Sequence, residues 1–222
     1  MKAMILAAGR GSRMRPLTDN QPKPLLPVAG KPLLAYHLDK LAQAGVNEVI
    51  INHAWYGQQI ENFVGDGSQW GLQVSFSVEP EGGLETAGGI IKALPLLGDE
   101  PFWVINGDTW TDWDYRDLPT HLEDEQLAHL IMVDNPVHHP RGDFALDNGL
   151  LIHNGLENKT FSGMGLYRKE LLQPYPEGKQ ALKRFFDRAI KQKQLTASCW
   201  GGHWTDVGTP ERLHQLNQQL EK

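Results

Sequence analysis

A short apolar run, Ala3 to Ala8, breaks abruptly into Gly9-Arg10-Gly11-Ser12-Arg13-Met14-Arg15-Pro16. Such a run closed by glycines reads as a buried strand opening into a loop whose backbone can approach an anion closely. Through Lys31 this region carries Lys2, Arg10, Arg13, Arg15, Lys23 and Lys31 against one acid, Asp19, while the whole chain has a formal net charge of −6. The positive charge is therefore local, and polyphosphate is the ligand it suits. Spacing excludes two common phosphate loops. No glycine is followed at the required distance by Lys-Ser or Lys-Thr. The dinucleotide fingerprint needs a third, helix-packing glycine at position 14, where Met14 stands.

The remaining periodicity predicts the frame. Helices are expected over 33–44, 55–64, 86–94, 181–191 and 210–220, the last opened by Pro210. Strands are expected over 46–52, 72–78, 102–105, 128–133 and 161–167, with one or two more within 195–204. Strand and helix alternate as far as Asp108, which implies a parallel, doubly wound sheet with its ligands beyond the carboxyl ends of the strands. Asp147-Asn148-Gly149 is a hairpin turn between 144–146 and 150–152. With 222 residues, 40% of them hydrophobic, the chain can bury one substantial core. The expectation is a single α/β domain, Rossmann-like, with a mixed, mostly parallel central sheet.

Composition narrows the function classes. No apolar run is long enough to span a membrane, and the basic N-terminus passes at once into the glycine loop rather than into a signal-peptide core. A lone Cys199 fits a reducing, cytoplasmic setting and reads as a packed strand residue. The acidic balance argues against nucleic acid as the main partner.

Asp108 follows a strand in Asn106-Gly107-Asp108, and Asp206 precedes the final helix in Trp204-Thr205-Asp206-Val207-Gly208-Thr209. Two carboxylates at element ends suit Mg²⁺, which takes its other ligands from phosphate and water. Aspartate is also an ordinary turn residue, so both readings stand at this point. Arg13 offers a planar fork for bridging phosphate oxygens, and Lys23 a point charge held in one direction by Pro22 and Pro24. His138 and His139 lack a third ligand at metal-binding spacing.

These motifs carry a resemblance. Leu6-Ala-Ala-Gly-x-Gly-x-Arg13, Pro16-x-Thr18 and Pro22-Lys23-Pro24-x-x-Pro27-Val28 resemble the signature of the sugar-1-phosphate nucleotidyltransferases. So do Leu84-Glu85-Thr86-Ala87-Gly88-Gly89, Asn106-Gly107-Asp108 and the Trp204 to Thr209 segment. Asn52-His53-Ala54-Trp55 and the stretch from His138 to Phe144 are most similar to the branch acting on N-acetylmuramate 1-phosphate with UTP. The resemblance implies a nucleotide-binding part over about 1–110, a sugar-binding part over about 111–222, and a monomer. It also implies attack of the sugar phosphate on the α-phosphorus of the nucleotide, with release of pyrophosphate. Catalysis would fall to Arg13, Lys23, Asp108 and Asp206, the two aspartates holding Mg²⁺. Ala8, Gly9, Gly11, Ser12, Arg13, Lys23, Glu79, Gly83 and Asn106 would hold the nucleotide; Asn106, Arg141, Gly142 and Asp143 would hold the sugar. Arg141, His138 and His139 are candidates for a lactyl carboxylate. The glutamate-lysine pair with which many relatives grip the sugar phosphate is absent, Lys159 being the nearest lysine. Competing readings are another base and sugar pair, such as GTP with mannose 1-phosphate, a non-catalytic nucleotide sensor, and a Rossmann oxidoreductase.

Overall fold

The computed structural model describes residues 1–153, 155 and 157–221. Strand β1 (Lys2–Leu6) leads through the arginine loop to a small hairpin, β2 (Pro27–Val28) and β3 (Lys31–Pro32). Then follow α1 (Leu33–Gln43), β4 (Glu48–His53), α2 (Gly57–Val64), β5 (Gln73–Val78), α3 (Glu85–Leu97) and β6 (Phe102–Asn106). The strands lie in the order β5-β4-β1-β6, all parallel. Parallel strands covered on both faces read as unbroken apolar runs, which is why β1 was legible. Met4 faces Ile90, Ala93 and Leu97 of α3, whereas Ala3 and Ile5 face Leu34, Leu38 and Leu41 of α1.

The second half continues the same sheet. It comprises β7 (Thr109–Thr111), β8 (Ala128–Val133), β9 (Phe144–Asp147), β10 (Leu150–Ile152), β11 (Asn158–Tyr167), α4 (Lys183–Lys191), β12 (Leu195–Trp200), β13 (Trp204–Asp206) and α5 (Pro210–Leu220). The described residues form a nine-stranded sheet ordered β5-β4-β1-β6-β11-β8-β12-β10-β9. Only β10 and β11 run against the common direction of these strands, so the sheet is mixed and mostly parallel. The start of β11 also pairs with β9, closing β11, β8, β12, β10 and β9 on one another. Helix α4 seals this end with Phe185 and Phe186. No helix among the described residues is long and apolar enough to cross a membrane.

Two details depart from the sequence expectation. Helix α3 continues to Leu97, through Pro95, instead of stopping at Leu94. Burial of Leu97 offsets the single hydrogen bond lost to a proline in the last turn. Strand β7 was not foreseen, and it pairs with β13 so that Asp206 lies opposite Thr109, the neighbour of Asp108. That short ladder brings the two distant aspartates to one place.

Behind β7, His37 of α1 is fully buried, its Nδ1 2.8 Å from the Tyr115 hydroxyl and its Nε2 without a partner among the described residues. Burial pushes the His37 imidazole down to about 4. The ring is therefore neutral when folded, while the unfolded chain takes up a proton below about 6.5, so acid favours unfolding. Between pH 6.5 and 5, His37 alone is expected to remove about 1.5 kcal/mol of stability. Urea unfolding at both pH values, in wild type and His37→Gln, checks this; an equally steep loss in the variant would rule His37 out as the cause.

Candidate active site

Two cavities open at the carboxyl ends of β1, β4 and β6. The larger, of about 820 Å³, is walled by Ala8, Gly9, Lys23 and the 81–86 loop. The smaller, of about 380 Å³, includes Arg13, His138, Ser162, Trp204, Asp206 and Arg212 in its wall. Asn106 and Asp108 line both, so the chambers meet at the Asn-Gly-Asp turn. Both volumes lie in the range of small-molecule sites.

Gly107 fixes this turn. Its amide donates to the Leu6 carbonyl at 2.9 Å, and a Cβ there would sit 2.8 Å from that same oxygen, so only glycine allows the close approach to β1. Asp108 is thereby held beside Lys23, whose Nζ donates to Asp108 Oδ2 at 2.6 Å. The Lys23 side chain is only 9% exposed, against 40% for Asp108. The ammonium is thus buried with its charge facing the junction. Gly11 adopts a left-handed φ of 67°, and a Cβ there would crowd Lys23 Cβ at 3.2 Å. Ser12 to Met14 form a 3-10 turn anchored by buried Met14, and this turn delivers Arg13 to the smaller chamber. Gly11 and Ser12 shape the loop without lining either cavity.

The floor of the larger chamber is a hydrogen-bonded relay that the sequence reading caught only in part. Asn52 Oδ1 accepts from the Ala7 amide at 2.8 Å, and Asn52 Nδ2 donates to Glu79 Oε1 at 2.6 Å. Glu79 Oε2 accepts from the Leu84 amide at 2.7 Å. Glu79 is thus a buried brace that ties the 79–85 loop, including Gly83, to the glycine loop. A Cβ on Gly89 would lie 2.4 Å from Glu79 Oε1 and 2.8 Å from Asn52 Nδ2. Gly89→Ala should therefore displace the brace and raise the Michaelis constant for nucleotide about 10-fold, because a buried hydrogen bond to a charged group is lost. Steady-state kinetics with an unchanged constant would show that the brace does not shape this chamber.

In the smaller chamber, β11 carries a bulge between Phe161 and Gly165, with Gly163 at φ 82°. Bulges re-aim side chains, and here Thr160 to Ser162 face the cavity while the Ser162 carbonyl accepts from Trp204 Nε1 at 2.9 Å. Asp206 is bound on two sides. Arg212 Nη1 reaches its Oδ1 and Oδ2 at 2.6 and 2.5 Å, and His138 Nε2 lies 2.8 Å from Oδ1. Arg212 was not foreseen. It stands in the first turn of α5, where nothing in the local sequence marks it. Arg141, Gly142 and Asp143 line neither chamber. Asp143 instead accepts the Phe161 amide at 2.8 Å, and Gly142 turns tightly against Asn135 at φ 59°. Lys159 is paired with Asp134 at 2.8 Å and also lines neither cavity.

Asp108 and Asp206 offer hard carboxylate oxygens to one chamber. Among the described residues no cluster of three or more His, Cys, Asp or Glu side chains could hold a metal alone. That donor set fits Mg²⁺, which binds through one or two carboxylates and completes its shell with phosphate and water.

The sequence pattern described as nucleotidyl transferase matches residues 2–143. The chain belongs to that family. A nucleotidyltransferase from Neisseria meningitidis serogroup B, named N-acetylmuramate alpha-1-phosphate uridylyltransferase, is 51% identical, with 97% of this chain and 96% of the relative covered. A Danio rerio mannose-1-phosphate guanylyltransferase catalytic subunit beta is 32% identical over 95% of this chain, which spans 62% of that relative. Among solved nucleotidyltransferase-like structures, a candidate glucose-1-phosphate thymidylyltransferase from Bacillus anthracis superposes with a TM-score of 0.85 at 24% identity, covering 99% of this chain and 94% of that one. At that identity the likeness speaks for the fold.

Proposed function

We propose that this protein transfers UMP from UTP to N-acetylmuramate 1-phosphate, giving UDP-N-acetylmuramate and pyrophosphate. The observation that carries this reading is the near full-length, 51% identity to the Neisseria meningitidis uridylyltransferase. The geometry agrees, since a nucleotide-sized chamber and a smaller one meet where Lys23 and Asp108 face each other. In this reading Ala8, Gly9 and the Glu79-braced loop hold the base. Lys23 and Arg13 hold the phosphates on opposite sides of the junction. Asn106, shared by both chambers, reaches both substrates.

The nucleophile needs no general base, because a phosphate monoester is largely dianionic at neutral pH. Catalysis then reduces to aligning two anions and neutralising charge as it moves to pyrophosphate. Mg²⁺ held by Asp108 and Asp206 would supply part of that neutralisation as a Lewis acid. Lys23 and Arg13 supply the rest from fixed positions. The product is a cell-wall nucleotide sugar, so the reading places the enzyme in peptidoglycan recycling in the cytoplasm, acting as a monomer on two small molecules.

The test is pyrophosphate release with Mg²⁺, pairing UTP, dTTP, GTP, CTP and ATP with the 1-phosphates of N-acetylmuramate, N-acetylglucosamine, glucose and mannose. Release confined to UTP with N-acetylmuramate 1-phosphate is the expected result. Release with GTP and mannose 1-phosphate instead would discard the recycling role and keep the chemistry. Nucleotide binding without release from any pair would point to a sensor.

A further inference from the structure

We infer that Arg212 grips the phosphate of the sugar substrate, and that it is parked on Asp206 until that substrate is bound. This deepens the function proposed above and rests on it. The sugar phosphate is a dianion that needs a cation in the smaller chamber. Lys159, the nearest lysine to the position where many relatives place theirs, faces Asp134 outside both cavities. The arginines of the smaller wall are Arg13 and Arg212, and the function proposed above assigns Arg13, on the glycine loop, to the phosphates of the nucleotide. Arg212 is the cation left for the sugar side.

Its placement follows from α5. Thr209 caps the helix, its hydroxyl accepting the Arg212 amide at 3.4 Å, and helical side chains lean back toward the N-terminus. The guanidinium is thereby carried over Asp206, six residues earlier, with its side chain only 14% exposed. Gly208 makes room for it, since a Cβ there would lie 2.2 Å from Arg212 Nη2. One guanidinium nitrogen spans both Asp206 oxygens, and His138 takes a second approach to Oδ1. Arg212 therefore competes with a metal ion for the Asp206 oxygens. A withdrawn guanidinium stays in the same chamber, beside the junction where the reacting phosphate must lie. Its planar fork suits phosphate oxygens.

The test compares wild type, Arg212→Gln, Arg212→Lys and Gly208→Ala, each checked for folding by thermal melting. Arg212→Gln should raise the Michaelis constant for N-acetylmuramate 1-phosphate about 10- to 100-fold, leave that for UTP within about 3-fold, and be partly rescued by lysine. In calorimetry, binding of N-acetylglucosamine 1-phosphate, which lacks the lactyl carboxylate, should weaken by a similar factor in Arg212→Gln. Mn²⁺ titration of the free protein by electron paramagnetic resonance should show about 2- to 5-fold tighter binding in Arg212→Gln, because a competing cation is gone. Gly208→Ala, which displaces the guanidinium without removing it, should shift both readouts in the same direction. A loss confined to N-acetylmuramate 1-phosphate would overturn the inference and make Arg212 a carboxylate reader. A lower kcat with unchanged sugar constants and weaker Mn²⁺ binding would overturn it too, leaving Arg212 only to orient Asp206. If wild type works on another pair, the proposed function fails and the same comparison on that pair decides Arg212. If no pair turns over, calorimetry with glucose 1-phosphate decides it, equal affinity in wild type and Arg212→Gln being the overturning result.

Discussion

Asp108→Asn is expected to lower turnover roughly 10³-fold while the protein stays folded, as befits loss of a carboxylate proposed to hold Mg²⁺ at the reacting phosphates. Asparagine keeps the shape of the turn, and the Gly107 contact with Leu6 that positions it is untouched. What changes is one negative charge at the meeting point of the two chambers. Lys23 keeps an amide oxygen as acceptor in place of its charged partner, and Asp108 is 40% exposed, so water can complete the shell. The stability cost should stay at about 1 kcal/mol or less. Single-turnover pyrophosphate release at saturating Mg²⁺, alongside a thermal melt, separates the two effects. Wild-type rates would remove Asp108 from the chemistry. A collapsed melt would mean that the substitution acted through the fold.

Lys23→Met should lower kcat/KM by about 10²- to 10³-fold. Methionine preserves the stem that packs beneath Gly11, so the loop conformation survives while the ammonium disappears. Pro22 and Pro24 limit the backbone from rearranging to bring another cation in. The lysine is buried and its charge is fixed at the junction before any substrate arrives, which is where preorganised charge acts most strongly. Rescue would be weak from Arg13, which lines the smaller chamber while Lys23 lines the larger. Steady-state kinetics indistinguishable from wild type would take Lys23 out of the phosphate clamp.

The parts of the site that were legible are those written locally. Strands β1 and β6 are buried on both faces and end in glycine-containing turns, so both their position and their chemistry show in short runs. Helix α5 announced itself through Pro210 and its apolar spacing. Of the brace from Asn52 to Glu79 to Leu84, Glu79 was expected at the nucleotide but the connection was not, because its three members come from β4, the residue after β5 and the residue before α3. Strands β7 and β13 are three residues each, too short for any periodicity. Arg212 was hidden for a similar reason, since its function depends on the direction a helix gives to one side chain. The stretch from Arg141 to Asp143 drew attention through resemblance; Asp143 holds the Phe161 amide and Gly142 takes a left-handed turn, and none of the three lines either chamber.

The pairing of β13 with β7 also sets an order of events. Every residue lining the larger chamber lies at or before Asp108, whereas Asp206 and Arg212 arrive with the last strand and helix. Helix α5 then locks against the N-terminal region, Leu213 and Leu216 packing with Met14, Leu26 and Val28, and Asn217 accepting the Ala29 amide at 2.6 Å. As the chain leaves the ribosome, the nucleotide compartment is therefore fully encoded long before the second carboxylate emerges. On the proposed reading, the residues for group transfer are completed only when β13 and α5 join a chamber lining synthesised well before them.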